Sequence, residues 1–232
     1  VGDRDFGVAA AGNVVANNNN KLLGRLGYRT LEEGHPGSYL LEPRLKAMDD
    51  MGIYAQICYQ NSGVTQAGSL IALDDDDLAF AILKIYNDEA LDRQEKSGQR
   101  VFTLAHLPLW NKPALDAEAR RCIDMGIRGF VLPDMPTRYG VPVYTDPYWA
   151  SFMEMCEASG TPLNFHLNSA VDPTVLTWDD FSFEKKLAIG TVMMMLGNAA
   201  TLSNIIVSGL LDTYPKLKIG LIESGAGWIP FM

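Results

Sequence analysis

Five short apolar runs alternate along this chain with stretches of helical periodicity, and that alternation limits the fold more than any other feature. The runs are Ile53 to Tyr59, Val101 to His106, Gly129 to Leu132, Pro162 to Leu167 and Leu217 to Ile222, each bounded by Gly or Pro. Pro113 opens a helix carrying Leu115, Ala119, Cys122 and Ile123 that ends at Gly126. Asp146-Pro147 caps another, carrying Trp149, Phe152, Met153 and Cys156 and ending at Gly160. Two consecutive strand, helix, glycine, strand units result. Crossovers of this kind predict parallel strands with helices outside, an α/β architecture.

The remaining segments read more simply. Asp74 to Asp77 precede Leu78, Ile82, Ile85 and Tyr86 at spacings of three and four, so the acidic run is read as the cap and first turn of a helix with that apolar face. Phe181 to Tyr214 is helical throughout, as two helices broken near Gly197 to Ser203. Residues 1–50 read as a loop-rich N-terminal segment, with Asn17 to Asn20 as a solvated patch, and residues 51–232 as successive βα units. With 232 residues, 47% of them hydrophobic, the chain can bury a core as a single domain.

Composition removes several function classes. A formal charge of −9 has the wrong sign for contacting a nucleic-acid backbone. No apolar stretch approaches the roughly 20 residues of a membrane-spanning helix. Cys58, Cys122 and Cys156 form no C-x-x-C pair and read as reduced core thiols, an expectation of a cytoplasmic protein. Neither G-x-G-x-x-G nor G-x-x-x-x-G-K-[ST] occurs, which sets nucleotide-binding folds aside. Val1 at the start and the apolar Gly227 to Met232 at the end read as a chain cut inside a larger domain.

The chemistry is expected at the strand exits. The runs end in Gln60 and Asn61, His106, Asp134, His166 with Asn168, and Glu223, all groups that can ligate, donate or titrate. In a parallel barrel such exits share one face, so His106, His166 and Glu223 are expected to converge. Leu163 to Asn168 alternates: Asn164, His166 and Asn168 share one face, Leu163, Phe165 and Leu167 the other. A strand buried on both faces is normally aliphatic, so the polar face predicts a polar cavity. A neutral imidazole there can ligate a metal or move a proton, or else bond backbone structurally. Glu223, before the glycine-rich Ser224 to Trp228, suits a ligand or general base, or a helix N-terminal partner. His106 suits substrate contact or structural hydrogen bonding, and His35 a surface loop. Tyr59, Trp110, Trp228 and Phe231 are candidate apolar walls.

From Leu45 to Phe231 the chain resembles the amidohydrolase-related superfamily, in the branch containing aminocarboxymuconate-semialdehyde decarboxylase and related metal-dependent decarboxylases and hydrolases. The resemblance rests on Arg44 to Ile53, Ala119 to Gly129, Asp146 to Trp149, Gly160 to His166 and Tyr214 to Ile219, in that order. It implies a (β/α)₈ TIM-barrel-like domain of metal-dependent hydrolase type, with a divalent metal, usually zinc, at the C-terminal face. The ligands of such a site come from H-x-H on the first strand, His on the fifth, often His on the sixth, and Asp on the eighth. His166 takes the fifth-strand place. Glu223 stands where the sixth-strand His would be. No H-x-H occurs in the chain, so the barrel is expected to be incomplete and the metal weak or absent in this form.

What the resemblance implies is hydrolysis or decarboxylation of a small carboxylated or cyclic substrate, with no nucleic-acid or membrane partner. His166 and Glu223 would hold metal, and Glu223 and His106 would act in catalysis. Asn164, Asn168 and Trp228 would meet substrate. Open sheet edges would favour homo-oligomers. The competing reading is a catalytically inactive barrel fragment that serves as a binding or assembly module.

Overall fold

Backbone pairing joins the strands into two parallel sheets, one in each of two compact units, Val1–His106 and Leu107–Met232. The computed structural model describes residues 35–59, 70–166, 178–182, 185–186, 188–189, 193 and 195–231. Among them the strands form no closed barrel. No described helix is long and apolar enough to cross a membrane.

In the first unit, helix α1 (Leu41–Asp50) leads to strand β1 (Gln56–Cys58), and helix α2 (Asp76–Lys96) to strand β2 (Val101–Thr103). The strands pair in parallel, Gln56 opposite Val101 and Cys58 opposite Thr103. The segment expected to be loop-rich up to residue 50 thus ends in a helix. Its Met48 is buried, and Arg44 ties its first turn to the preceding chain by donating from Nε to Gly37 O at 2.9 Å. His35 caps the 3-10 turn Pro36–Ser38, its Nδ1 accepting from Gly37 N at 3.0 Å.

The acidic run does what its spacing predicts. Asp75 is the N-cap of α2, its Oδ1 accepting from Leu78 N at 3.0 Å, and Asp76 and Asp77 lie in the first turn where the helix dipole favours negative charge. The predicted apolar face is displaced, however. Ile85 is 70% exposed, and the buried stripe is Ala79, Leu83, Asn87, Ala90, Leu91 and Gln94. Two alanines let the helix approach β2 closely, and polar Asn87 occupies a core position that hydrophobic periodicity cannot register.

The second unit holds α3 (Lys112–Asp124), β3 (Phe130–Leu132), α4 (Ala150–Ser159), β4 (Leu163–His166), α5 (Met195–Val207), α6 (Leu210–Thr213) and β5 (Ile219–Ile222). The sheet order is β3-β4-β5, all parallel, with Phe130 opposite Leu163 and Leu163 opposite Ile219. Helix ends follow the sequence signals. Asn111 caps α3 by accepting from Ala114 N, and Asp146 accepts from Tyr148 N before α4. Gly126 (φ 88°) and Gly160 (φ 70°) end those helices in the left-handed region, which costs glycine nothing.

Phe130, Leu132, Trp149, Phe152, Leu163 and Phe165 form the fully buried core of this unit. Cys122 and Cys156 are buried free thiols beside it, and burial pushes the Cys156 thiol up to about 12. One helical expectation fails here: α5 runs unbroken through Gly197 to Ser203, and the interruption falls at Gly209, with φ 73°. Gly197 is buried inside the helix, where the missing side chain permits close packing rather than ending the helix.

Candidate functional site

The alternation along β4 places Leu163 and Phe165 in the core, at 0% and 1% exposure, with Asn164 and His166 on the opposite face. Leu167 and Asn168 lie outside the described residues, as do Gln60 and Asn61. Asn164 is buried at the sheet centre, its Nδ2 donating to Phe130 O at 3.2 Å and Pro162 O at 3.3 Å. It stands over Gly220 of β5, its register partner. A Cβ at Gly220 would lie 2.7 Å from Asn164 Oδ1. Asn164 therefore ties β4 to β3 and packs over β5, as well as giving the face its polarity.

His166 ends β4, and Glu223 follows β5 directly. Their side chains meet, Nε2 to Oε2 at 3.7 Å, with the imidazole 32% and the carboxylate 65% exposed. An imidazole nitrogen facing a carboxylate oxygen at an accessible edge can form an ion pair, exchange a proton, or hold a cation between them. Glu223 has φ 59°, a left-handed backbone that costs a residue bearing a Cβ about 1–3 kcal/mol.

Around this pair lies a buried polar network. Asn198 of α5 is fully buried and its Nδ2 donates to Phe165 O at 3.1 Å, Ile222 O at 3.1 Å and Ser224 Oγ at 2.6 Å. Ser224 Oγ also donates to Ile222 O at 3.1 Å. Trp228 Nε1 donates to Ser224 O at 2.7 Å, which leaves the half-buried ring face, not the N–H, for other contacts. One helical turn on, Thr201 Oγ1 reaches Asp134 O at the β3 exit at 3.4 Å. Asp134 Oδ1 accepts from Met135 N, and the neighbouring Tyr144 hydroxyl donates to Pro133 O at 2.6 Å. Burial first, and the Asp134 charge second, hold that phenol neutral far above its ordinary range.

His106 belongs to the first unit. Asn87 grips its backbone on both sides, Nδ2 donating to His106 O at 2.9 Å and Oδ1 accepting from His106 N at 3.0 Å. The imidazole lies edge-on to Tyr86, centroids 5.3 Å apart. Sequence reasoning picked out His166, Glu223 and His106 but missed Asn198 and Asn87. An asparagine within an otherwise apolar helical run was the available signal for Asn198, because a buried amide must find partners.

No group of three or more His, Cys, Asp or Glu side chains able to hold a metal occurs among the described residues. His166 and Glu223 offer two such donors.

Comparison with known proteins gives these geometries a context. The family described as Amidohydrolase matches residues 31–231. A gamma-resorcylate decarboxylase from Rhizobium sp. (strain MTP-10005) is 27% identical over 208 residues, covering 82% of this chain. The chain spans only 57% of that relative's length. The structure of 5-carboxyvanillate decarboxylase from Sphingomonas paucimobilis is similar at TM-score 0.57 and 20% identity, covering 88% of this chain and 54% of that one. A dihydroxybenzoic acid decarboxylase from Polaromonas sp. JS666, solved with bound manganese and 2-nitroresorcinol, is similar at TM-score 0.53 and 24% identity, covering 78% and 54%. These likenesses show an α/β fold that matches TIM-barrel amidohydrolases over part of their length.

Proposed function

Since the chain belongs to the Amidohydrolase family, we propose that the whole protein is a carboxy-lyase releasing carbon dioxide from a small hydroxylated aromatic acid. The observation that carries the reading is the His166–Glu223 pair at the exits of adjacent parallel strands. The names of the relatives, decarboxylases of hydroxylated benzoates, support a lyase rather than a hydrolase reading.

The pair suits a divalent ion as two of its ligands. Groups 3.7 Å apart can both reach one ion at about 2.0–2.2 Å, and nitrogen with oxygen, without thiolate, is a set that manganese or zinc accepts. When bound, such an ion polarises substrate oxygens and stabilises charge that develops on the ring. The residues of the chain do the rest. Glu223 serves either as a ligand of that ion or, when protonated from solvent, as the acid that delivers a proton to the ring carbon bearing the carboxylate. The bond between that carbon and the carboxylate then breaks, its electrons return to the ring, and carbon dioxide leaves. His166 fixes the carboxylate of Glu223 by facing it. We assign Asn164 to the polar wall, and the Trp228 ring face to stacking on the substrate ring. The reading extends to one barrel-like domain that includes residues 1–232, to association into homo-oligomers, and to a reducing, cytoplasmic setting supported by free thiols at Cys58, Cys122 and Cys156.

The test is carbon dioxide release from 2,6-dihydroxybenzoate with Mn²⁺ added, on the full-length protein. His166→Ala and Glu223→Gln should each lower turnover by about 10²–10⁴-fold. Unchanged turnover in both variants overturns the assignment. A folded protein with neither turnover nor retained metal supports the non-catalytic binding or assembly module instead.

A further inference from the structure

We propose that Asn198 is a positioning residue whose amide locks Glu223 in its left-handed backbone and so holds it facing His166. The inference rests on the reading of His166 and Glu223 as the working pair. Left-handed backbone at a residue bearing a side chain persists only where the surroundings over-determine it. Here the determinants are visible. Asn198 Nδ2 grips the carbonyl immediately before Glu223 (Ile222 O, 3.1 Å) and the side chain immediately after it (Ser224 Oγ, 2.6 Å), which itself returns to Ile222 O at 3.1 Å. Glu223 is thus pinned on both sides by one amide. The third bond of that amide goes to Phe165 O, the carbonyl immediately before His166, so the same side chain indexes both members of the pair.

The amide is also oriented for this task. Two N–H groups are shared among three acceptors, and Oδ1 is buried with no hydrogen-bond partner among the described residues. Exchanging the amide oxygen and nitrogen would turn Oδ1 onto two carbonyl oxygens, so the orientation is fixed by its surroundings. Asn198 is fully buried and cannot be a group that touches substrate from solvent.

The test separates holding a backbone from merely filling space. Glycine adopts positive φ freely and alanine does not, so Asn198→Ala is combined with Glu223→Gly and, separately, with Glu223→Ala, and the folding equilibrium of each is measured by urea denaturation. If Asn198 enforces the conformation, its removal should shift that equilibrium at least about fivefold less in the Glu223→Gly background than in wild type, with the full shift retained in the Glu223→Ala background. Ser224→Ala, a milder change to the same network, should show the same pattern if Asn198→Ala does not fold. An equal shift in all three backgrounds makes Asn198 simple packing and overturns the proposal. A shift that vanishes with Glu223→Ala as well as with Glu223→Gly assigns the coupling to the carboxylate and also overturns it. Mn²⁺ binding followed by water proton relaxation tests the underlying reading separately: binding unaffected by Glu223→Gln defeats the pair as a metal site and leaves the backbone result intact.

Discussion

At Gly220 a hydrogen stands where any other residue would put a carbon 2.7 Å from Asn164 Oδ1. Asn164 cannot easily swing away, because its amide nitrogen is bonded to Phe130 O and Pro162 O. Gly220→Ala should therefore destabilise the chain by about 1–3 kcal/mol in urea denaturation, the usual cost of overpacking. Wild-type stability would mean that Asn164 moves at little cost. At this scale the sequence was legible wherever alternation applies: Leu163 and Phe165 inward, Asn164 and His166 opposite. It was illegible for Asn87 and Asn198, since a polar side chain at a core position has no periodic signature and is explained only by the distant carbonyls it meets.

Among the elements, α2 shows what local chemistry can and cannot specify. Of the four consecutive aspartates Asp75 is the N-cap and accepts from Leu78 N. Asp75→Ala should cost about 1 kcal/mol of stability by thermal or urea melting, whereas Asp77→Ala, which removes only a first-turn charge, should cost less. Equal losses would assign the whole effect to charge. Helix ends were readable from Asp74 to Asp77, Pro113, Asp146, Gly126 and Gly160 because such signals are local, whereas the Asn111 cap of α3 emerged only in the structure. Helix faces were less so: Ile85 is outward and Ala79 inward because packing against β2 favours small residues, and Gly197 continues α5 where a glycine alone suggested a break.

For the molecule as a whole, the α/β class and the parallel strands followed from two crossovers ending in glycine, while closure into a barrel was not written in five runs. The thiols add a property of the whole chain. Cys122 and Cys156 have no solvent exposure, and Cys58 is partly accessible, its thiol raised by burial against the opposing Arg44 charge. The thiol of Cys156 stays protonated up to about pH 12 in the folded chain, against about 8.5 when unfolded. Its contribution to stability is complete at neutral pH and is lost as the pH rises from about 8.5 toward 12, so the urea midpoint should fall over that alkaline window. Cys156→Ala should flatten the decline; an unchanged decline would assign it to other groups. Because neither α3 nor α4 shows its cysteine to solvent in the folded state, an alkylating reagent at neutral pH marks Cys58 first and reaches the other two only when the second unit opens. Mass added at Cys122 and Cys156 is then a clock, and a pulse of reagent in living cells reads how often this half of the chain comes apart.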